Sequence, residues 1–236
     1  MEKVTDSLGI TPDINITKAY SEIKLIICME GYTDIEFLKN ISISCFEFDL
    51  SNHPSILVLP LGGGNLEHWV NFKYLDKLPN IPQIHIYDRD VKKYGRFINK
   101  INQNPTHKAF KTNLYEIENY IHPSLYSHSY QFSTPFVDLT MQDWKTGWNN
   151  IDIPKKLSEH LKTCYVQGDS HLKDYKSEQI KKKFNSDLSK LLTKDLLIDL
   201  GVYEEVSSWI HHIQEKIAYT NIMSSASTES SELVTN

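Results

Sequence analysis

Ile23-Lys24-Leu25-Ile26-Ile27-Cys28-Met29-Glu30-Gly31-Tyr32-Thr33-Asp34 is the stretch on which the fold turns. Residues 23–29 are a compact apolar run of strand length that stops at Glu30-Gly31. Thr33-Asp34-Ile35-Glu36 then reads as a capping box, in which Thr33 takes the free amides and Glu36 reaches back. A helix is expected to follow to about Asn40. A strand that ends in an acid and turns into a helix is the opening unit of an α/β fold.

The same rhythm continues outward. Residues 45–49 and 56–59 are further strand candidates, the second running into Pro60-Leu61-Gly62-Gly63-Gly64, and a helix is predicted over 65–74. Ile84-His85-Ile86-Tyr87 is a strand leading straight into Asp88-Arg89-Asp90, with a helix expected over 91–102 and a short strand over 108–112. Beyond residue 140 the pattern is helical, over 141–148, 154–165, 177–192, 193–200 and 203–219, with Gly201 as a C-cap. The expected division is an N-terminal segment (1–19), an α/β domain (20–135), a helical extension completing it (136–220) and a small, polar, disordered tail (221–236). The fold class is α/β, a mostly parallel sheet flanked by helices.

Composition narrows the class. The chain has 236 residues, 40% of them hydrophobic, and its 13 Tyr argue against wholesale disorder. No apolar stretch approaches bilayer length and the start lacks a basic stretch followed by an apolar run, so a soluble protein of the cytoplasm, not tied to a membrane, is expected. Cys28, Cys45 and Cys164 are odd in number and widely spaced, which gives neither a disulfide framework nor a zinc knuckle. The net charge of −5 conceals a surplus of five positive charges over residues 155–194, where ten Lys face five acids. A polyanionic substrate is therefore not excluded, and bound cations would cancel part of the negative charge elsewhere.

The acids carry the chemistry. Glu30 and Asp34 flank a turn after one strand, and Asp88 and Asp90 follow another. In open α/β sheets ligands bind at the carboxyl ends of strands, where loops converge. An acid before a helix is usually a solvated dipole partner, and an Asp-x-Asp alone is a weak signal; the two in order are more specific. Hard cations such as Mg²⁺ demand oxygen ligands. The Gly62-Gly63-Gly64 turn lacks the Gly-Lys-Ser/Thr of a nucleotide-binding loop.

Met29-Glu30-Gly31-Tyr32-Thr33-Asp34, the Gly-rich turn at 61–65, Tyr87-Asp88-Arg89-Asp90 and Tyr115-Glu116-Ile117-Glu118-Asn119-Tyr120-Ile121 together resemble the Toprim domain, and most closely the nucleases of the overcoming-lysogenisation-defect (OLD) family and their standalone relatives. The resemblance covers residues 20 to 125 well and the helical remainder poorly. It implies a Toprim-like fold and an endonuclease or other nuclease dependent on Mg²⁺ or Mn²⁺, with two ions held by Glu30, Asp34, Asp88, Asp90 and one or both of Glu116 and Glu118. Glu30 would be a ligand or general base. Lys173, in Gly168-Asp169-Ser170-His171-Leu172-Lys173, is the expected active-site lysine. Lys176, Lys181, Lys182 and Lys183 would line a groove for the nucleic-acid backbone, against the plainer alternative of a solvated helix face. The resemblance also implies an ABC-type ATPase partner in trans and a role in anti-phage defence; a homo-oligomer stays open.

Two rivals compete. Ile84–Val91 also resembles the nucleophile strand of haloacid-dehalogenase-type phosphatases, with Asp88 phosphorylated, Asp90 as acid and base, and Asp169 and Asp174 as late acids; this leaves Glu30, Asp34 and the Glu-Asn-Tyr segment without a task. The other is a non-catalytic Toprim adaptor.

Overall fold

The computed structural model describes residues 22–62, 81–131, 135–169 and 175–232. Four parallel strands form one sheet: β1 (Leu25–Met29), β2 (Ile56–Pro60), β3 (Gln83–Tyr87) and β4 (Lys108–Lys111), in the spatial order β2-β1-β3-β4. β1 lies centrally, with Leu25 opposite Ile56 on one side and Ile26 opposite Gln83 on the other. The α/β class and the parallel sheet flanked by helices are as the sequence implies, and the arrangement is consistent with a Toprim-like fold.

Both faces of the sheet are covered, as an all-parallel sheet requires. Leu25, Ile27, Met29, Ile84 and Ile86 enter the larger core, beneath α1 (Tyr32–Phe46) and the C-terminal helices. The alternate residues Ile26, Cys28 and Tyr87 face the second core with Tyr94, Phe97 and Ile98 of α2 (Tyr94–Ile101). Period-two alternation thus serves two apolar layers instead of one apolar and one wet face.

The chain order fixes where a ligand can sit. From β1 the chain enters α1 on one face, and from β3 it enters α2 on the other. β2 and β3 lie on opposite sides of β1. The carboxyl ends of β1 and β3 therefore flank a topological switch point, where the departing loops separate and leave a crevice.

After β4 come a tight helical turn (Ile117–Tyr120), α3 (Ser124–Tyr130), α4 (Trp144–Trp148), α5 (Ile153–Val166), α6 (Ser177–Ser186), a second tight turn (Leu188–Leu191), α7 (Lys194–Leu200) and α8 (Tyr203–Glu232). Trp148, Leu157, Phe184, Leu197, Trp209 and Ile213 from this half are buried in the same core as β1. Gly201 has φ 80 and closes α7, and Thr193 caps its start by accepting the Leu196 amide.

Several local expectations need correction. The helix begins two residues earlier: Gly31 is the N-cap of α1 and its N–H donates to Asp34 Oδ2 at 2.8 Å, the half of a capping box that a glycine can make, so Thr33 lies inside the helix. Residues 45–49 are not a strand. α1 runs to Phe46 and Glu47 closes it in the left-handed conformation (φ 52), because Ile41 and Cys45 continue the stripe of α1 that packs on the larger core. The helix predicted over 177–192 breaks after Ser186 into the tight turn. α8 continues to Glu232, past residue 219 where its apolar pattern ends, through a small, polar run free of Gly and Pro. The predicted helix over 65–74 and most of the Gly-rich turn lie outside the described residues. Among the described residues no helix is long and apolar enough to cross a membrane.

Candidate metal centre

Backbone bonds past the strand ends bring the distant acids together. Thr112 N–H donates to Tyr87 O (2.9 Å) and Asp90 N–H to Tyr115 O (3.1 Å), while Thr112 Oγ1 accepts the Arg89 amide at 2.9 Å. The loop after β3 is thereby zipped to the loop after β4, which sets Asp88 beside the Glu116–Glu118 segment. On the other side of β3, Gly62 N–H donates to Glu30 O (2.9 Å); its φ of 67 is the left-handed region that glycine enters without strain.

Asp88, Glu116 and Glu118 are buried and each offers a carboxylate oxygen within 4.8 Å of the others. Two unit charges at 4.8 Å repel by roughly 3.5 kcal/mol at an effective dielectric near 20. Three ionised carboxylates in that space therefore cannot stand without a cation or a proton. Burial, then the charges of Asp34, Glu118, Glu30 and Glu116, push the Asp88 carboxyl well above the usual range. Burial and the neighbouring Glu118 raise Glu116 to about 8. Glu118 is raised to about 7, chiefly by burial. Asp34 joins from the first turn of α1, raised to about 6 by burial against the opposing effect of the Gly31 amide.

Glu30 and Asp90 lie nearer solvent. Glu30 is half-buried and raised by burial, while the Tyr94 hydroxyl donates to it and draws it back. Asp90 is exposed and also raised, by its partial burial first. The charges of Glu30 and Asp90 act on one another, so the acids from three stretches of chain share one rim of the sheet.

The helical half supplies the counter-charge. Lys181 Nζ of α6 lies 2.7 Å from Glu116 Oε2 and 3.6 Å from Glu118 Oε2; the first contact is a hydrogen bond, the second only an ion-pair distance. One turn later, Asn185 Nδ2 donates to Glu118 Oε1 at 3.0 Å, so two residues at helical spacing grip one carboxylate. Asn185 is fixed in turn, because Asn40 Nδ2 of α1 donates to its carbonyl at 3.0 Å. Asn119 holds the acid-bearing turn, accepting the Glu116 amide and donating to Trp148 O at 2.6 Å.

The other predicted lysines are placed apart from the acids or fall outside. Lys176 and Lys182 are exposed on α6. Lys183 turns inward, donating to Ser129 O at 3.3 Å with its ammonium 4.2 Å from the Tyr130 ring centroid. Lys173 and Asp174 lie outside the described residues. Lys181, read from sequence as a groove residue, sits against the acids. The periodicity of α6 carried that signal: Ile180 and Phe184 form its buried stripe, which Leu188 of the following turn continues, and Lys181 and Asn185 flank it. Tyr94 gave no such signal, since its role depends on where Glu30 lies in space.

The donor set can be tested against a cation directly. Asp88 Oδ1, Glu116 Oε1 and Glu118 Oε2 are buried with no hydrogen-bond donor. Buried carboxylate oxygens without donors are costly, and a hard divalent ion satisfies them. The residues fit such an ion. Comparison of the chain with models of known protein families, with curated proteins and with solved structures finds no match in any of the three.

Proposed function

We propose that this chain is a metal-dependent nuclease of Toprim type that hydrolyses phosphodiesters. Asp88, Glu116 and Glu118 would hold Mg²⁺ or Mn²⁺, and Asp34 and Asp90 would complete the set for a second ion. The observation that carries the proposal is the trio of buried carboxylates past the end of β3, each offering an oxygen within 4.8 Å of the others and each keeping one oxygen that no hydrogen-bond donor reaches. An all-oxygen donor set suits a hard ion over zinc or copper. When bound, such ions supply positive charge to phosphate oxygens and make a coordinated water more acidic.

The chain's own groups divide the remaining work. Glu30, at the half-buried rim, is the proton acceptor for an attacking water; its raised carboxyl is the better base for it. The Tyr94 hydroxyl orients that carboxylate. Lys181, pinned by Glu116, keeps an ammonium at the acids, where it offsets charge that develops on the phosphate. Asp34, held by the Gly31 amide, stays fixed while a substrate enters.

The test is one gel. The purified protein is incubated with plasmid, single-stranded DNA and transfer RNA, each with Mg²⁺, Mn²⁺ or EDTA, beside Asp88→Ala. Cleavage that needs the metal and disappears in the variant supports the proposal. Cleavage in EDTA, or undiminished in the variant, overturns it.

A further inference from the structure

Between the acids of β3 and those of the Glu116–Glu118 segment, residues 91–115 contain six bases (Lys92, Lys93, Arg96, Lys100, Lys108 and Lys111) and no acid. This is the most one-sided charge run in the chain, more so than 155–194, where the bases outnumber the acids only two to one. It folds into one edge of the molecule. Among the described residues β4 is the outermost strand of the sheet, and α2 packs against it.

The segment is not a uniformly solvated run. Tyr94, Phe97 and Ile98 bury one side of α2, which leaves Lys92, Lys93 and Arg96 exposed on the other. None of these three forms an ion pair among the described residues. The stripe also starts at the acid site: the loop from Asp90 leads directly into it, and the charge of Lys93 acts on Glu30. An uncompensated cationic surface that begins where carboxylates gather is suited to a partner carrying regularly spaced anions.

We propose that the α2 edge, through Lys92, Lys93 and Arg96, is the track on which a nucleic-acid strand lies as one of its phosphates enters the acid site. The assignment rests on the nuclease proposal and makes it specific, because it moves the backbone contacts from α6 to the opposite side of β3. Four residues of chain separate Lys92 from Arg96, through the turn before α2 and its first helical turn, a span of roughly 6–10 Å. Phosphates of one strand advance by about 3.4 Å along the duplex axis, so the three side chains reach two or three of them.

The experiment measures binding of fluorescein-labelled single-stranded and duplex DNA of twenty nucleotides by anisotropy, with Ca²⁺ present, over a range of salt. Wild type is compared with K92Q/K93Q/R96Q and with K176Q/K182Q; Lys93→Glu alone serves if the triple variant melts early. The triple variant is expected to bind at least tenfold more weakly near 50 mM salt, with the salt slope reduced by about 2 to 3 for duplex. K176Q/K182Q is expected to lose less than threefold. An unchanged slope in the triple variant, or a loss confined to the α6 variant, overturns this assignment and leaves the nuclease proposal standing. Binding of wild type to vesicles containing phosphatidylserine but not to DNA or RNA overturns both.

Discussion

Lys181 Nζ stands 2.7 Å from Glu116 Oε2, and this contact joins the helical half of the chain to the acids at the edge of the sheet. It places one ammonium against two of three clustered buried carboxylates. A single positive charge cannot balance three ionised carboxylates, so the site calls for a further cation or for bound protons. Four consequences can be measured.

Lys181→Met removes that ammonium and leaves Glu116 and Glu118 facing one another. Breaking a fully buried pair costs about 3–5 kcal/mol. The Lys181 side chain is 38% exposed, so solvent screens part of this and a loss of about 1–3 kcal/mol is expected at pH 8. Chemical denaturation in EDTA measures it. The loss should shrink at pH 6, where the carboxyls protonate, and in millimolar Mn²⁺. A variant as stable as wild type at pH 8 would show that the contact carries no weight.

Asp88→Asn keeps the shape and replaces an ionisable carboxyl of the crowded trio by a neutral amide. The metal-free variant should be more stable than wild type by about 1–2 kcal/mol, since sites held in strained arrangements for function are destabilising. Its Mn²⁺ binding by calorimetry should fall at least a hundredfold. A variant that is less stable and still binds the ion would refute the electrostatic account.

The pH dependence of stability has a definite sign. Folded Glu116 and Glu118 hold protons up to about 8 and 7, whereas the unfolded chain releases them near 4.3. The folded state therefore binds more protons over that window, and stability of the metal-free protein falls as pH rises through it. Buried His85, whose pKa is lowered to about 3 mainly by burial, acts oppositely, but only below its unfolded value near 6.5. Between pH 6.5 and 8 the acids alone set the slope, up to about 1.4 kcal/mol per pH unit for each retained proton. Urea midpoints across this range should decline in EDTA and flatten with Mn²⁺.

Tyr94→Phe deletes the hydroxyl that stabilises ionised Glu30. The Glu30 carboxyl should move further up, so the acidic limb of the cleavage rate shifts to higher pH, by roughly half a unit to one unit, for about 1 kcal/mol of lost hydrogen bonding. Metal affinity should change less than threefold. An unmoved limb with a uniformly lower rate would assign Tyr94 to packing alone.

The local pieces were legible in the order of residues alone. Compact apolar runs at β1 and β3, each ending in an acid, specified buried parallel strands and the edge at which Glu30, Asp88 and Asp90 emerge, because strand length and a following helix are local properties. Gly201 was legible as a C-cap for the same reason. Which lysine meets the acids was settled by packing between distant elements. Lys181, Lys182 and Lys183 are adjacent in sequence, yet one grips Glu116, one is exposed, and one lies over Tyr130. The difference comes from the rotation of α6 against α1, fixed through Asn40 and Asn185 across 145 positions of chain, and no local pattern encodes an angle set by such a distant contact.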